Sequence, residues 1–167
     1  VNKFIGAIIA LEILSASFLF SYRPTIPPLP TIAHDFRISA LAEFMEKHKF
    51  AKPYYVQEYI QSADRYHIDY RLVASIAVAE SSGCKHYIYN DCFGYGSSSG
   101  LMHFTSIPEG IRFVSEQLGE ASYYAGKSDL DKARAYGPHS NPNYGPTIIR
   151  YMNEINADLL QVQKLSR

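Results

Sequence analysis

The sequence has no excess of either charge sign: 16 Lys and Arg are matched by 16 Asp and Glu. Duplex binding leans on a basic surface, so this balance argues against a nucleic-acid partner. Tryptophan is absent, whereas Tyr occurs 14 times and Phe 9 times. Tyrosine joins an apolar face to a polar tip, so such a chain builds either a Tyr-rich core or a Tyr-lined groove. Cysteine is confined to Cys84 and Cys92. Two cysteines without a companion His pattern do not make a four-ligand zinc site. The pair reads as a disulfide if the chain leaves the cytosol, or as two buried thiols if it does not. His34, His48, His67, His86, His103 and His139 form no paired-His metalloprotease motif. No Gly-x-Ser-x-Gly elbow marks a serine hydrolase. Gly94, Gly96 and Gly100 lack the strand and helix that flank a nucleotide-binding loop. No metal and no cofactor are therefore expected.

What is present begins with an apolar run from Phe4 to Phe20, preceded by Lys3 and followed by Arg23. A basic start followed by an apolar stretch has the form of an export signal, and Ser15-Ala16-Ser17 offers small residues for cleavage. An uncleaved anchor is the alternative. A spanning helix wants about 20 apolar residues, and Glu12 inside the run costs roughly 2.5–3.5 kcal/mol at a helix centre. A buried core helix is the third reading. Prolines 24, 27, 28 and 30 then enforce an extended spacer. The expected order is a signal or membrane anchor over 1–22, a Pro-rich linker over 23–33, and one domain over 34–167.

That domain reads as helices. Ile38, Leu41, Phe44, Met45 and His48 share one face over roughly 36–49, and Val56, Tyr59, Ile60 and Ala63 mark a second helix after Pro53. Asp69 is the expected N-cap of a third, with Leu72, Val73, Ile76 and Ala77 as its apolar stripe, and Gly83 supplies its left-handed end. Residues 84–104 lose the helical period and read as a hairpin or irregular lobe. Ser106 and Glu109 form a capping box ahead of Ile107, Ile111, Val114 and Leu118. A short helix near 129–135 and a last one from about Pro146, with Ile148, Met152, Ile155, Leu159 and Val162 on one stripe, complete the domain. The fold class is mainly α with a small irregular or β lobe, preceded by an N-terminal hydrophobic helix.

Glu80 is the candidate for chemistry. It ends an apolar helix, just before a polar turn. Partial desolvation and the negative end of the helix dipole both disfavour its charged form. A carboxyl group that keeps its proton near neutral pH can protonate a departing glycosidic oxygen. A solvated helix-end glutamate is the plainer reading. Ser81 beside it can bond the acid or a substrate amide, or serve the turn.

These segments, in order, resemble the lysozyme-like superfamily, especially bacterial endo-β-N-acetylglucosaminidases and lytic transglycosylases. Ile68 to Ala77 is similar to their lead-in helix, and Glu80-Ser81-Ser82-Gly83 to the E-S-x-G motif of their catalytic acid. Asn90-Asp91-Cys92-Phe93-Gly94-Tyr95-Gly96 looks like the turn of their small lobe. Phe104 to Ile111 resembles their Y-x-S-x-x-E helix start. Tyr123 to Lys127 and Tyr136 to Tyr144, with Asn141-Pro142-Asn143, resemble their closing Y…P…Y segment. The likeness spans about residues 50–156.

The resemblance implies cleavage of β-1,4 bonds in peptidoglycan glycan strands, with Glu80 as general acid. It implies a catalytic role in the cleft for Tyr136, whose place Tyr144 can take. Ser81, Asp91, Phe93, Tyr95 and Tyr144 become the expected substrate-binding set. A Cys84–Cys92 bridge would tie the acid's turn to the small lobe. The implied location is the cell envelope, exported, with membrane contact through the N-terminal segment if it is uncleaved. One departure stands out: residues 93–108 carry no Asp or Glu. Asp91 is then the nearest second carboxylate, Glu109 being explained by capping. A two-carboxylate mechanism needs about 5–9.5 Å between the groups; without it, the substrate's N-acetyl oxygen can attack the anomeric carbon. Two readings compete, a glycosidase or transglycosylase and a lysozyme-like module that binds glycan without cutting. A membrane-anchored interaction protein is a third.

Overall fold

The computed structural model describes residues 35–97, 100–138 and 140–165. The chain divides into two units, Val1–Ala33 and His34–Arg167, and the described residues belong to the second. The apolar run, the Pro-rich linker, His34 and His139 lie outside them. Among the described residues no helix is long and apolar enough to cross a membrane.

The second unit is mainly helical. Its elements are α1 (Phe36–Lys47), α2 (Val56–Arg65), α3 (Leu72–Ser81), a two-stranded antiparallel ribbon of β1 (Gly96–Ser97) and β2 (Gly100–Leu101), α4 (Ile107–Glu120), α5 (Asp129–Tyr136) and α6 (Tyr144–Leu165). A short 3-10 turn at Pro53–Tyr55 leads into α2.

Helix α3 organises the rest. Leu72 to Val78 are all buried, on every side of the helix. A helix apolar on all sides but for the buried Ser75 must be enclosed all round, which is more than the one-sided stripe expected of it. Around it, α6 packs against α1, α3 and α5, while α4 packs against α2 and α3. Phe44, Leu41 and Met45 of α1, Ile111 and Leu118 of α4, and Ile148 and Ile155 of α6 fill the core at under 2 % exposure. Burial at that level contributes about 1.5–3 kcal/mol per large apolar side chain. The side chains of Leu159 and Val162 lie outside the described residues.

The helix ends follow local chemistry. Asp35 caps α1 by accepting the Arg37 N–H at 3.0 Å. Asp69 is not the N-cap of α3. Its side chain accepts the Arg71 N–H at 2.9 Å and its carbonyl accepts the Leu72 N–H at 3.0 Å, so it closes the turn leading into a helix whose cap is Arg71. At the other end the left-handed turn starts one residue early, on Ser82 (φ 55°), and continues through Gly83 (φ 74°). Ser106 caps α4 through the Glu109 N–H. Glu109 reaches back to the Thr105 N–H at 2.6 Å, one residue before the cap that the expected box would have it meet. Its hydrogen bonds from Thr105 hold its carboxyl below the usual range. Helix α6 begins at Tyr144, two residues before Pro146.

Residues 82–106 form the irregular lobe. Among the described residues, only the β1–β2 ribbon and an isolated Ile88–Asp91 bridge are strand-like. What closes the lobe onto α3 is the Cys84–Cys92 disulfide, both cysteines being buried. The two stand eight positions apart in sequence. Replacing both cysteines by serine is expected to lower the unfolding free energy by about 2–3 kcal/mol, the loop-closure value for so short a ring. Urea denaturation measures it, and an unchanged midpoint would show the bridge to be energetically idle.

Candidate active site

Along α3, Ala79 and Glu80 are the first residues after Val78 to reach the surface. Glu80 opens into a cleft of about 360 Å³ whose walls include Glu80, His86, Tyr87, Asp91, Gly94 and Leu101. Although the residue is exposed, both carboxyl oxygens have close neighbours. Oε1 accepts the Tyr144 hydroxyl at 2.6 Å. Oε2 lies against Gly94, where an added Cβ would stand 2.6 Å from it. Gly94 also has φ +62°, a region that penalises side chains. No other residue type fits there without moving the acid.

Tyr144 is held with similar closeness. It is 8 % exposed, and a Cβ on Gly137 would stand 2.3 Å from its ring. Gly137 follows α5 directly, so the α5–α6 corner sets the ring against Glu80. Tyr136 lies nearly parallel to Tyr144, with centroids 6.5 Å apart and planes at 14°. Its hydroxyl donates to the Phe93 carbonyl at 2.7 Å. Of the two tyrosines in the closing segment, Tyr144 therefore touches the acid, and Tyr136 anchors the lobe. Tyr136, the tyrosine expected at the catalytic centre, has its hydroxyl bonded to the lobe backbone, and the hydroxyl that meets Glu80 is that of Tyr144.

The other expected site residues divide. Asp91 lines the same cleft as Glu80 and is 3 % exposed. Its Oδ1 accepts the Phe93 N–H at 2.9 Å, and its Oδ2 is buried with no hydrogen-bond partner among the described residues. Ser81 is a framework residue. Its buried hydroxyl lies 2.7 Å from the Cys92 carbonyl and accepts the Cys84 N–H at 2.9 Å. It thus bonds the lobe alongside the disulfide and has little left for a substrate. Phe93 is fully buried and packs edge-on to Tyr59, so it is core and not a substrate contact. Tyr95 packs its ring against Phe113 and Tyr136, on the core side of the lobe.

The electrostatics reflect this geometry. Shielding by the protein raises the Glu80 pKa above the ordinary carboxylate value, the Tyr144 hydrogen bond pulls it back, and the charge of Asp91 raises it further. Burial raises Asp91 as well, against backbone N–H donors from Phe93, Tyr95 and Gly94. Tyr144 is shifted far up by burial and by donating to Glu80, so its hydroxyl stays protonated. The arrangement is a carboxyl with heightened proton affinity, pinned at one oxygen, beside an open groove.

Comparison with protein-family models, curated proteins and solved structures finds no match to this chain. The site is therefore read on its own geometry. Among the described residues no group of three or more His, Cys, Asp or Glu side chains is placed to hold a metal. Sequence reasoning missed the part that His86, Tyr87, Ile88 and Leu101 play in the cleft wall. The signal that could have found them was the apolar, aromatic stretch 87–89 inside the Cys84–Cys92 loop.

The signs of the Glu80 shifts can be checked directly. A hydroxyl donor favours the carboxylate, so Tyr144→Phe should raise the Glu80 titration midpoint. A neighbouring negative charge favours the acid, so Asp91→Asn should lower it. Carboxyl carbon NMR titration, with Glu80→Gln assigning the resonance, reads both directions.

Proposed function

We propose that this chain cleaves β-1,4 glycosidic bonds in peptidoglycan glycan strands, through a lysozyme-like domain with Glu80 as general acid. One observation carries the reading: a carboxyl group with a raised pKa stands at the mouth of an open cleft, with one oxygen fixed by a tyrosine hydroxyl. With Oε1 occupied by Tyr144, Oε2 is the oxygen left to carry the proton to a departing sugar oxygen. A general acid works best when its pKa is near the working pH, and the shift is in that direction.

Asp91 bears on the fate of the sugar once the bond breaks. Its free oxygen is enclosed, which suits an electrostatic partner of Glu80 better than a nucleophile or a base that activates water. On this reading the substrate's own N-acetyl oxygen attacks the anomeric carbon as Glu80 protonates the leaving group. Hydrolytic and anhydro-forming outcomes share that step, and mass spectrometry of the released fragments separates them. The disulfide supports work outside the cytosol, since such bonds persist in oxidising compartments. An envelope location, reached through the apolar segment 4–20, belongs to the same proposal.

The enclosure of Asp91 also favours a second reading, a module that grips glycan without cutting it. A zymogram on purified cell wall decides between them. Wild type is expected to clear the gel and Glu80→Gln is not, with a loss of at least about a hundredfold, as for removal of a general acid. Binding of wall by both proteins with clearing by neither would establish the module instead. For the enzyme, the acid must be protonated, so activity should fall as pH rises through the raised Glu80 pKa. A rate that keeps climbing through that range would remove Glu80 from the acid role.

A further inference from the structure

Among the described residues eight large apolar side chains are exposed, and six of them come from three adjoining segments: Tyr54, Tyr87, Ile88, Tyr89, Leu101 and Met102. Tyr54, Ile88 and Tyr89 are 65 %, 55 % and 53 % exposed. Contacts between the segments make them one face. The Ala51 N–H donates to the Gly83 carbonyl at 2.9 Å, and Lys85 Nζ donates to the His48 carbonyl at 3.3 Å. These bonds set the turn at Pro53–Tyr55 beside the loop that carries Lys85 to Tyr89, near enough for Tyr87 to act electrostatically on Tyr55. The Phe104 N–H donates to the Tyr89 carbonyl at 2.9 Å, and the Tyr89 ring stacks on His103 with centroids 3.5 Å apart. That brings the chain after β2 to the same loop, which the Cys84–Cys92 disulfide closes from behind. A contiguous apolar surface on a held support marks an interaction site.

The face also has a distinct charge. From Ser81 to Pro108 the sequence has one carboxyl residue, Asp91, which is buried, and from Lys47 to Gln57 it has none. Lys49, Lys52 and Lys85 stand in these segments, and Lys52 Nζ lies 5.9 Å over the Tyr54 ring. Of the bordering carboxyls, Glu80 stands inside the cleft, Glu58 pairs with Arg112, and Glu109 is bonded to Thr105. The chain as a whole is neutral, so cations have been gathered here, around the apolar side chains. Protein–protein interfaces are rich in tyrosine but depleted of lysine. A bilayer surface takes both: tyrosine sits at the headgroup level, and lysine reaches the anionic phosphates.

We propose that this face docks the domain onto an anionic lipid bilayer, with Tyr54, Ile88, Tyr89 and Met102 in the headgroup region and Lys49, Lys52 and Lys85 on the lipid phosphates. Tyr87, Ile88 and Leu101 also wall the cleft, so docking sets the cleft mouth beside the membrane. Lipid docking neither requires glycan cleavage nor is required by it.

Tryptophan is absent from the chain, so a single-tryptophan variant of the full protein reports one position. Tyr54→Trp and Met102→Trp report the face. Tyr123→Trp reports a remote exposed site, because α4 runs about 20 Å from the lobe and Gly119 at its end meets Tyr66 at the far end of α2. Each variant is mixed with vesicles of phosphatidylglycerol and brominated phosphatidylcholine. Emission of the two face reporters should shift to the blue and be quenched, and that of the remote reporter should do neither. Insertion of the apolar run 4–20 would carry every variant to the vesicle alike, so the contrast between positions is the readout. Adding Lys49→Glu, Lys52→Glu and Lys85→Glu should abolish the shift and the quenching while leaving the melting temperature unchanged. Vesicles of phosphatidylcholine alone should abolish them for the unaltered lysines too.

Equal quenching at all three positions, or at none, would overturn the proposal. So would quenching at the face that survives the three charge reversals, or that is as strong without phosphatidylglycerol. A blue shift that grows with protein concentration and needs no lipid would assign the face to a second copy, and overturns it as well. Wall clearing by wild type without the positional contrast keeps cleavage and rejects docking. The contrast without clearing keeps docking and rejects cleavage.

Discussion

Helix α3 has no polar face between Leu72 and Val78, and water cannot be left on any side of it. The fold answers that requirement by setting α4 and α6 against it, with α5 in contact as well. The consequence for the site is geometric. A helix enclosed along its length meets solvent at an end, and at the C-terminal end stand Ala79 and Glu80. The position of the acid is thus a result of core packing. Its carboxyl is presented at the edge of a tightly filled interior, where side chains have little room to shift.

Three separate links then hold the small lobe over that end. The disulfide joins Cys84 to Cys92, the Ser81 hydroxyl bonds the Cys92 carbonyl, and Tyr136 bonds the Phe93 carbonyl. All three converge on the turn that carries Asp91 and Gly94. Gly94 can be pressed against Glu80 because it has no side chain, and Asp91 can be brought into the same cleft because the backbone N–H of Phe93 takes one of its oxygens. The lobe has little regular structure among its described residues, so these links replace the ladder of a larger sheet. They also explain why Ser81 and Tyr136, which look chemical in the sequence, are structural: each is adjacent to the site because it builds it.

The pairing of Tyr144 with Glu80 gives the acid a direction as well as a proton affinity. Burial raises the affinity, and the tyrosine donor tempers it. The two effects act on different atoms. Burial acts on the whole carboxyl, whereas the hydrogen bond fixes Oε1 and so distinguishes it from Oε2. A carboxyl held this way faces the groove with one defined oxygen, a preorganised geometry for proton transfer.

Much of the fold was legible from the chain alone. Period-3.6 patterning located the helices to within a few residues, because amphipathic stripes are a local record of which face will be buried. Ser106 marked the start of α4 for the same reason, whereas Asp69 stands outside the helix it was expected to cap and Asp35, the cap of α1, was not flagged. Glu80 could be singled out because an apolar helix running into a polar turn implies a half-shielded carboxyl wherever the rest of the chain lies. Which tyrosine would meet it could not be read, since Tyr136 and Tyr144 are equivalent in sequence pattern and only the α5–α6 corner at Gly137 orients them. Likewise Phe93 went to the core, Asp91 was enclosed, and Tyr87, Ile88 and Leu101 became a wall. These outcomes depend on how a nearly strandless loop is folded back by contacts distant in sequence. Local chemistry determined the helices and nominated the acid; its partners were decided only by the α5–α6 corner that sets Tyr144 and by the lobe bonded down across the helix end.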